Sequence, residues 1–169
     1  GKLRKCKVKL ITSYQNPYYE INSVDMLESY VYKLLEECPL DQQNIKDTHN
    51  YTMALDESYY GEGSYNKWIK VGMALKNTSE KLFVTWLKFS SQSASFDWSN
   101  VMELYDTWNK FDDGELSYRS IIYWCKECNL DKFNEVYKQS IQKYIHYTFY
   151  NIFDNDIAVL LYELYKESY

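Results

Sequence analysis

Apolar residues along this chain recur mostly three and four positions apart, the spacing that lines one face of an α-helix. Leu27, Tyr30, Val31, Leu34, Leu35 and Cys38 form the first such stripe. Asn22 followed by Asp25 marks its start, and Pro39 stops it. Over 40–63 the periodicity disappears. Asp41, Gln42, Gln43, Asn44, Asp47, Asn50 and the run Gly61-Glu62-Gly63 predict a long, polar, mobile loop there.

Shorter helical patterns follow. Ser64 is the expected cap of a helix whose inward stripe is Tyr65, Trp68, Val71, Gly72 and Leu75. Asn77, with Glu80 three residues on, suits a capping box before Leu82, Phe83, Trp86 and Leu87. Asp97 opens a stripe of Trp98, Val101, Leu104, Tyr105, Trp108 and Phe111, closed by Asp112-Asp113-Gly114. Ser117 opens another with Ile121, Trp124, Cys125 and Cys128 inward. Asn129 breaks it, and Asp131 starts a longer helix through Phe133, Val136, Tyr137, Ile141, Tyr144 and Ile145. After Asp154-Asn155-Asp156 a last amphipathic stretch turns Ile157, Leu160, Leu161 and Leu164 to one side, with little obvious local partner. It either docks back or begins a further domain.

The alternation of Val8, Leu10 and Thr12 with Lys7, Lys9 and Ile11 reads as a short strand left from a preceding domain, or as a frayed basic terminus. The expected fold is all-α: a compact bundle of about six to seven helices with short connections and one long polar loop after the first. Residues 1–21 are expected to be a basic linker, 22–145 the helical domain, and 146–169 the start of a further helical region.

Composition adds an aromatic bias to this picture. The 169 residues include 19 Tyr, 5 Trp and 7 Phe but only 5 Gly and 2 Pro, which suits helices packed through rings. A net charge of −5 argues against a whole-surface polyanion binder. No apolar run approaches the roughly 20 residues of a membrane span, and no secretory signal pattern follows the basic first residues, so an intracellular protein is expected. Cys6, Cys38, Cys125 and Cys128 are too scattered for a disulfide framework.

Few patterns carry chemistry. A phosphate-binding loop is missing: Gly61-x-Gly63 followed by Lys67 lacks the second half of that motif. Cys125 and Cys128 have zinc-clamp spacing, but lie within a helical pattern without a second close pair and fit better as packing thiols. His49, in the polar stretch, and His146, on a helix face, suit surface or rim positions. Asp112-Asp113 and Asp154-x-Asp156 stand where helix ends need turn and cap residues. Charge distribution says more. Residues 64–93 hold Lys67, Lys70, Lys76, Lys81 and Lys88 against Glu80 alone, whereas 94–116 are acidic. A locally basic helix pair could meet phosphates, while Trp68 and Trp86 fall on inward stripes and belong to the core. The plain alternative is an ordinary solvated face.

The run Tyr65-Asn66-Lys67-Trp68-Ile69-Lys70-Val71-Gly72-Met73-Ala74-Leu75-Lys76-Asn77 resembles the signature of the type 2 primase C-terminal helical domain. Three further segments match in order: Phe83-Val84-Thr85-Trp86-Leu87-Lys88-Phe89-Ser90, then Leu104-Tyr105-Asp106-Thr107-Trp108-Asn109-Lys110-Phe111, then Gly114 and Leu116-Ser117 before Ile121-Ile122-Tyr123-Trp124-Cys125-Lys126. The segment 154–165 resembles the entry to the helicase-associated region of poxvirus-type and giant-virus primase–helicases.

The resemblance implies a non-catalytic middle piece of a larger viral replication protein. A primase domain upstream would bind Mg and nucleotide, and a superfamily 3 helicase downstream would hold ATP and oligomerise; this piece itself would need no cofactor. It would contact single-stranded template, and nucleotide as well, during primer initiation. Its expected place is the host cytoplasm, with no membrane partner. Lys67, Lys70, Lys76, Lys81, Lys88 and, more weakly, Arg119 are the expected phosphate contacts. The competing expectation is a connector and oligomerisation module that does not touch DNA. Gly72, in mid-helix, implies a close helix approach.

Overall fold

The computed structural model describes residues 16–112, 114–153 and 155–168. The N-terminal alternation, Asp113 and Asp154 lie outside them. Every regular element described is helical. The α-helices are α1 (Val24–Glu36), α2 (Gln43–Met53), α3 (Tyr65–Thr78), α4 (Phe83–Ser90), α5 (Val101–Asn109), α6 (Tyr118–Cys128), α7 (Leu130–Ile152) and α8 (Asn155–Ser168).

The centre is α4. Phe83, Val84, Thr85, Trp86, Leu87, Phe89 and Ser90 are all buried, and a helix this apolar on every side is stable only inside a shell of others. Helices α1, α2, α3 and α5 supply that shell. Rings fill the space between them. Trp86 lies 4.8 Å from Trp68, 5.9 Å from Trp108 and 5.4 Å from Phe111, centroid to centroid. Each indole N–H donates: Trp68 to Ser90 Oγ (2.7 Å), Trp86 to the Trp68 carbonyl (3.3 Å), Trp108 to Glu80 Oε2 (3.2 Å). The close approach expected at Gly72 is real. A Cβ there would stand 2.7 Å from Trp86 Cε2 and 2.8 Å from Phe111 Cε2.

The expected polar loop is largely a helix. Helix α2 occupies Gln43–Met53, introduced by a 3₁₀ turn at Leu40–Gln42. Its inward residues are Ile45, Thr48, His49, Tyr51 and Thr52, so its buried face is half polar and leaves no apolar stripe to read. Burial is tolerated because the hydroxyls are used locally. Thr48 donates to the Asn44 carbonyl (2.5 Å) and Thr52 to the Thr48 carbonyl (2.7 Å).

Caps are partly as expected. Asp97 accepts from the Ser99 amide, and Ser117 forms a capping box with Ser120. The other expected caps are displaced. Ser23 rather than Asn22 caps α1. Ser64 makes no side-chain cap, because its hydroxyl donates to the Gly61 carbonyl at 2.6 Å. Asn77 lies inside α3 and ties it to the segment before α6, donating to the Leu116 carbonyl at 2.9 Å; Ser79 is the cap that follows. Asn129, not Asp131, starts α7.

Helix α7 runs 23 residues, and its first half packs on α2 and α6. Phe133 meets Tyr51 at 5.6 Å, and Ser140 donates to Asp47 at 2.7 Å. Its second half extends past α2 and carries α8, which packs along it. The expected stripe is corrected here: Tyr137 and Tyr144 are exposed. The last helix docks back on α7 through Ala158, with Leu161, Tyr162 and Tyr165 partly covered, and leaves Ile157, Leu160 and Leu164 outside.

Candidate nucleic-acid interface

The six basic residues picked out by charge meet different neighbours. Lys67 and Lys70 stand on the exposed side of α3, one turn apart. The ammonium of Lys67 lies 4.9 Å over the Tyr59 ring, and neither lysine has a carboxylate at ion-pair distance among the described residues. Lys76 is engaged: it pairs with Glu80 at 2.6 Å and covers the Trp108 ring at 5.6 Å. Lys88 pairs with Glu28 of α1 at 2.9 Å. Lys81 is exposed and donates to Gln42 Oε1 at 3.3 Å, across to the turn before α2. Arg119 is exposed and turned onto its neighbour Tyr118.

Two of the surface cavities among the described residues bear on nucleic-acid contact. One, of about 440 Å³, lies at the start of α3 between Tyr60, Ser64, Trp68, Phe96, Asp97 and Asn100. Gly63 turns the chain into it with a φ of +78°, a conformation that suits glycine. Glu62 and Asp97 make its charge negative, so it is poorly suited to phosphate. The other, of about 450 Å³, is a groove between the start of α2 and the overhanging half of α7, with Leu40 and Lys46 on one wall and Lys143, Tyr144, Tyr147 and Tyr150 on the other. Charge counting along the sequence missed it, because its two lysines are nearly a hundred residues apart. The spacing of Tyr144, Tyr147 and Tyr150 was the available signal.

The histidines and thiols sit differently from a reactive centre. His49 is buried at 4% exposure and shares a 2.8 Å hydrogen bond with Thr85, which corrects the surface position expected for it. Burial, with Lys88 nearby, lowers its pKa to about 4. His146 stacks on Tyr162 at 4.3 Å and touches the Tyr150 ring. Cys125 is fully buried, and burial pushes its thiol up to about 11; Cys128 is raised for the same reason. Thiols held protonated in this way are packing groups. Among the described residues no cluster of three or more His, Cys, Asp and Glu has the arrangement to hold a metal ion, and no helix is long and apolar enough to cross a membrane.

What this defines is a helical domain with an aromatic core and exposed lysines around it. The family model described as Primase C terminal 2 (PriCT-2) matches residues 48–125, from within α2 to within α6, and this segment is similar to that family. That family is one of primase C-terminal domains. No curated protein and no solved structure matches the chain.

Proposed function

We propose that this domain assists a primase at the start of primer synthesis by holding single-stranded template, and nucleotide with it, through electrostatic contact. The observation that carries this reading is the pair Lys67 and Lys70: exposed, without acidic partners among the described residues, and inside the matched segment. Lys81 and Arg119 are further contacts. Lys76 and Lys88 contribute less, since a phosphate must first compete with Glu80 and Glu28. The same proposal sets the domain between a Mg- and nucleotide-binding primase and an oligomeric superfamily 3 helicase of one viral chain, working in the host cytoplasm.

Binding of a labelled single-stranded oligonucleotide tests it. Affinity should fall steeply with salt, and Lys67→Glu/Lys70→Glu should weaken it and flatten the salt slope by about 1.4, roughly 0.7 per lost phosphate contact. Salt-insensitive or absent binding would overturn the reading.

The exposed Ile157, Leu160 and Leu164 of α8 favour a second reading, a connector that joins domains or copies without touching DNA. On that reading Leu160→Ser/Leu164→Ser abolishes self-association in sedimentation, and the lysine variants change nothing.

A further inference from the structure

We infer that the groove between α2 and the overhanging half of α7 is a stacking site for the bases of single-stranded nucleic acid. The inference rests on the reading of the domain as a single-strand binder, and assigns where the bases go. Three phenol rings stand along α7 at intervals of three residues: Tyr144 is 67% exposed, Tyr147 41% and Tyr150 42%. Helical rise separates successive rings by about 4.5 Å along the axis, a spacing that partly unstacked bases can follow and a closed duplex cannot.

Charge selects the same partner. Lys143 lies on the ring wall and Lys46 on the facing wall, and no carboxylate lines the groove. The nearby Asp47 is occupied, accepting from Ser140 at 2.7 Å and Gln43 at 3.4 Å. Lys81, held by Gln42, extends the basic edge at the turn that carries Leu40. A protein seated here would bury lysines that protein interfaces tend to exclude. A polyanion with flat, apolar faces satisfies both the ammonium groups and the rings.

The test is binding of a labelled single-stranded oligonucleotide to the whole chain, with 5-iodouracil in the strand to photo-crosslink any ring it stacks on. Wild type should crosslink to Tyr144, Tyr147 or Tyr150. Tyr144→Ala/Tyr147→Ala should bind about tenfold more weakly, while Tyr144→Phe/Tyr147→Phe stays within about twofold. Lys67→Glu/Lys70→Glu should weaken binding yet leave the crosslinks on α7. Wild-type affinity in the Ala variant, or crosslinks confined to other helices, overturns the groove and leaves the single-strand reading standing. No binding by wild type overturns both. Self-association that the Ala variant abolishes, with DNA binding unchanged, makes the groove a protein interface and overturns the inference.

Discussion

The rings around α4 and the rings on α7 put aromatic side chains to opposite ends. Around α4, Trp86, Trp108 and Phe83 are fully buried and every indole N–H has an acceptor. On α7 no residue is buried, and α8 covers itself chiefly at Ala158. A ring whose polar atom is matched inside the protein adds to stability; a ring left at the surface offers a face to something else. Most of the buried core therefore lies in residues the family match spans, and the exposed rings of α7 lie beyond them.

The widest contrast is between two truncations. Trp86→Ala should cost about 3–5 kcal/mol, because its cavity is lined by other rings that cannot collapse freely. Tyr144→Ala should stay within about 0.5 kcal/mol. Urea unfolding of both variants checks this. Equal costs would mean that α7 is covered in the folded chain.

A second effect separates the regions by pH. His49 has its pKa lowered from 6.5 to about 4 by burial first and Lys88 second. Between those values the unfolded chain binds the proton and the folded chain does not, so stability rises with pH across the window. The contribution is complete above about pH 6.5 and is lost on acidification towards pH 4, of the order of 3 kcal/mol. Unfolding at pH 7 and pH 5 should show a steep loss in the wild type and a shallower one in His49→Gln.

Gly72→Ala comes next. Intrinsic helix preference favours Ala by about 1 kcal/mol, but the Trp86 and Phe111 rings stand under 3.0 Å from the new carbon. Rings locked in a packed core cannot yield cheaply, so a net loss of about 1–3 kcal/mol is expected in thermal or urea unfolding. A stabilised variant would mean that the ring network moves more freely than its packing suggests.

The helices with apolar stripes were legible from sequence, as was the core role of Trp86 and the crowding at Gly72. Helix α2 was not. Thr48, His49 and Thr52 count as polar in any pattern, and only the partners they find, Asn44 and Thr48 carbonyls and the Thr85 hydroxyl, make burial acceptable. Charge was legible, but its use was not. Lys88 and Glu28 are 60 residues apart in the chain, so nothing local distinguishes Lys88 from Lys70, which has no ion pair among the described residues. The groove was hidden for the same reason: it exists because α7 overshoots α2, a matter of helix length and register.

That difference between Lys70 and Lys88 gives the smallest prediction and a sharp one. Replacing Lys70 by Gln should leave unfolding unchanged within about 0.5 kcal/mol, since the side chain is exposed and unpaired among the described residues. Replacing Lys88 by Gln should cost about 0.2–1 kcal/mol at pH 7, the usual value of a partly exposed ion pair. It should also alter the acid response. Lys88 helps hold His49 neutral, and Glu28, freed of its partner, favours the imidazolium. The His49 pKa should therefore rise towards its ordinary value, and the loss of stability between pH 7 and pH 5 should shrink. A Lys88→Gln variant with the wild-type pH slope would show that burial alone sets His49, and that the Lys88–Glu28 pair is a surface contact with no reach into the core.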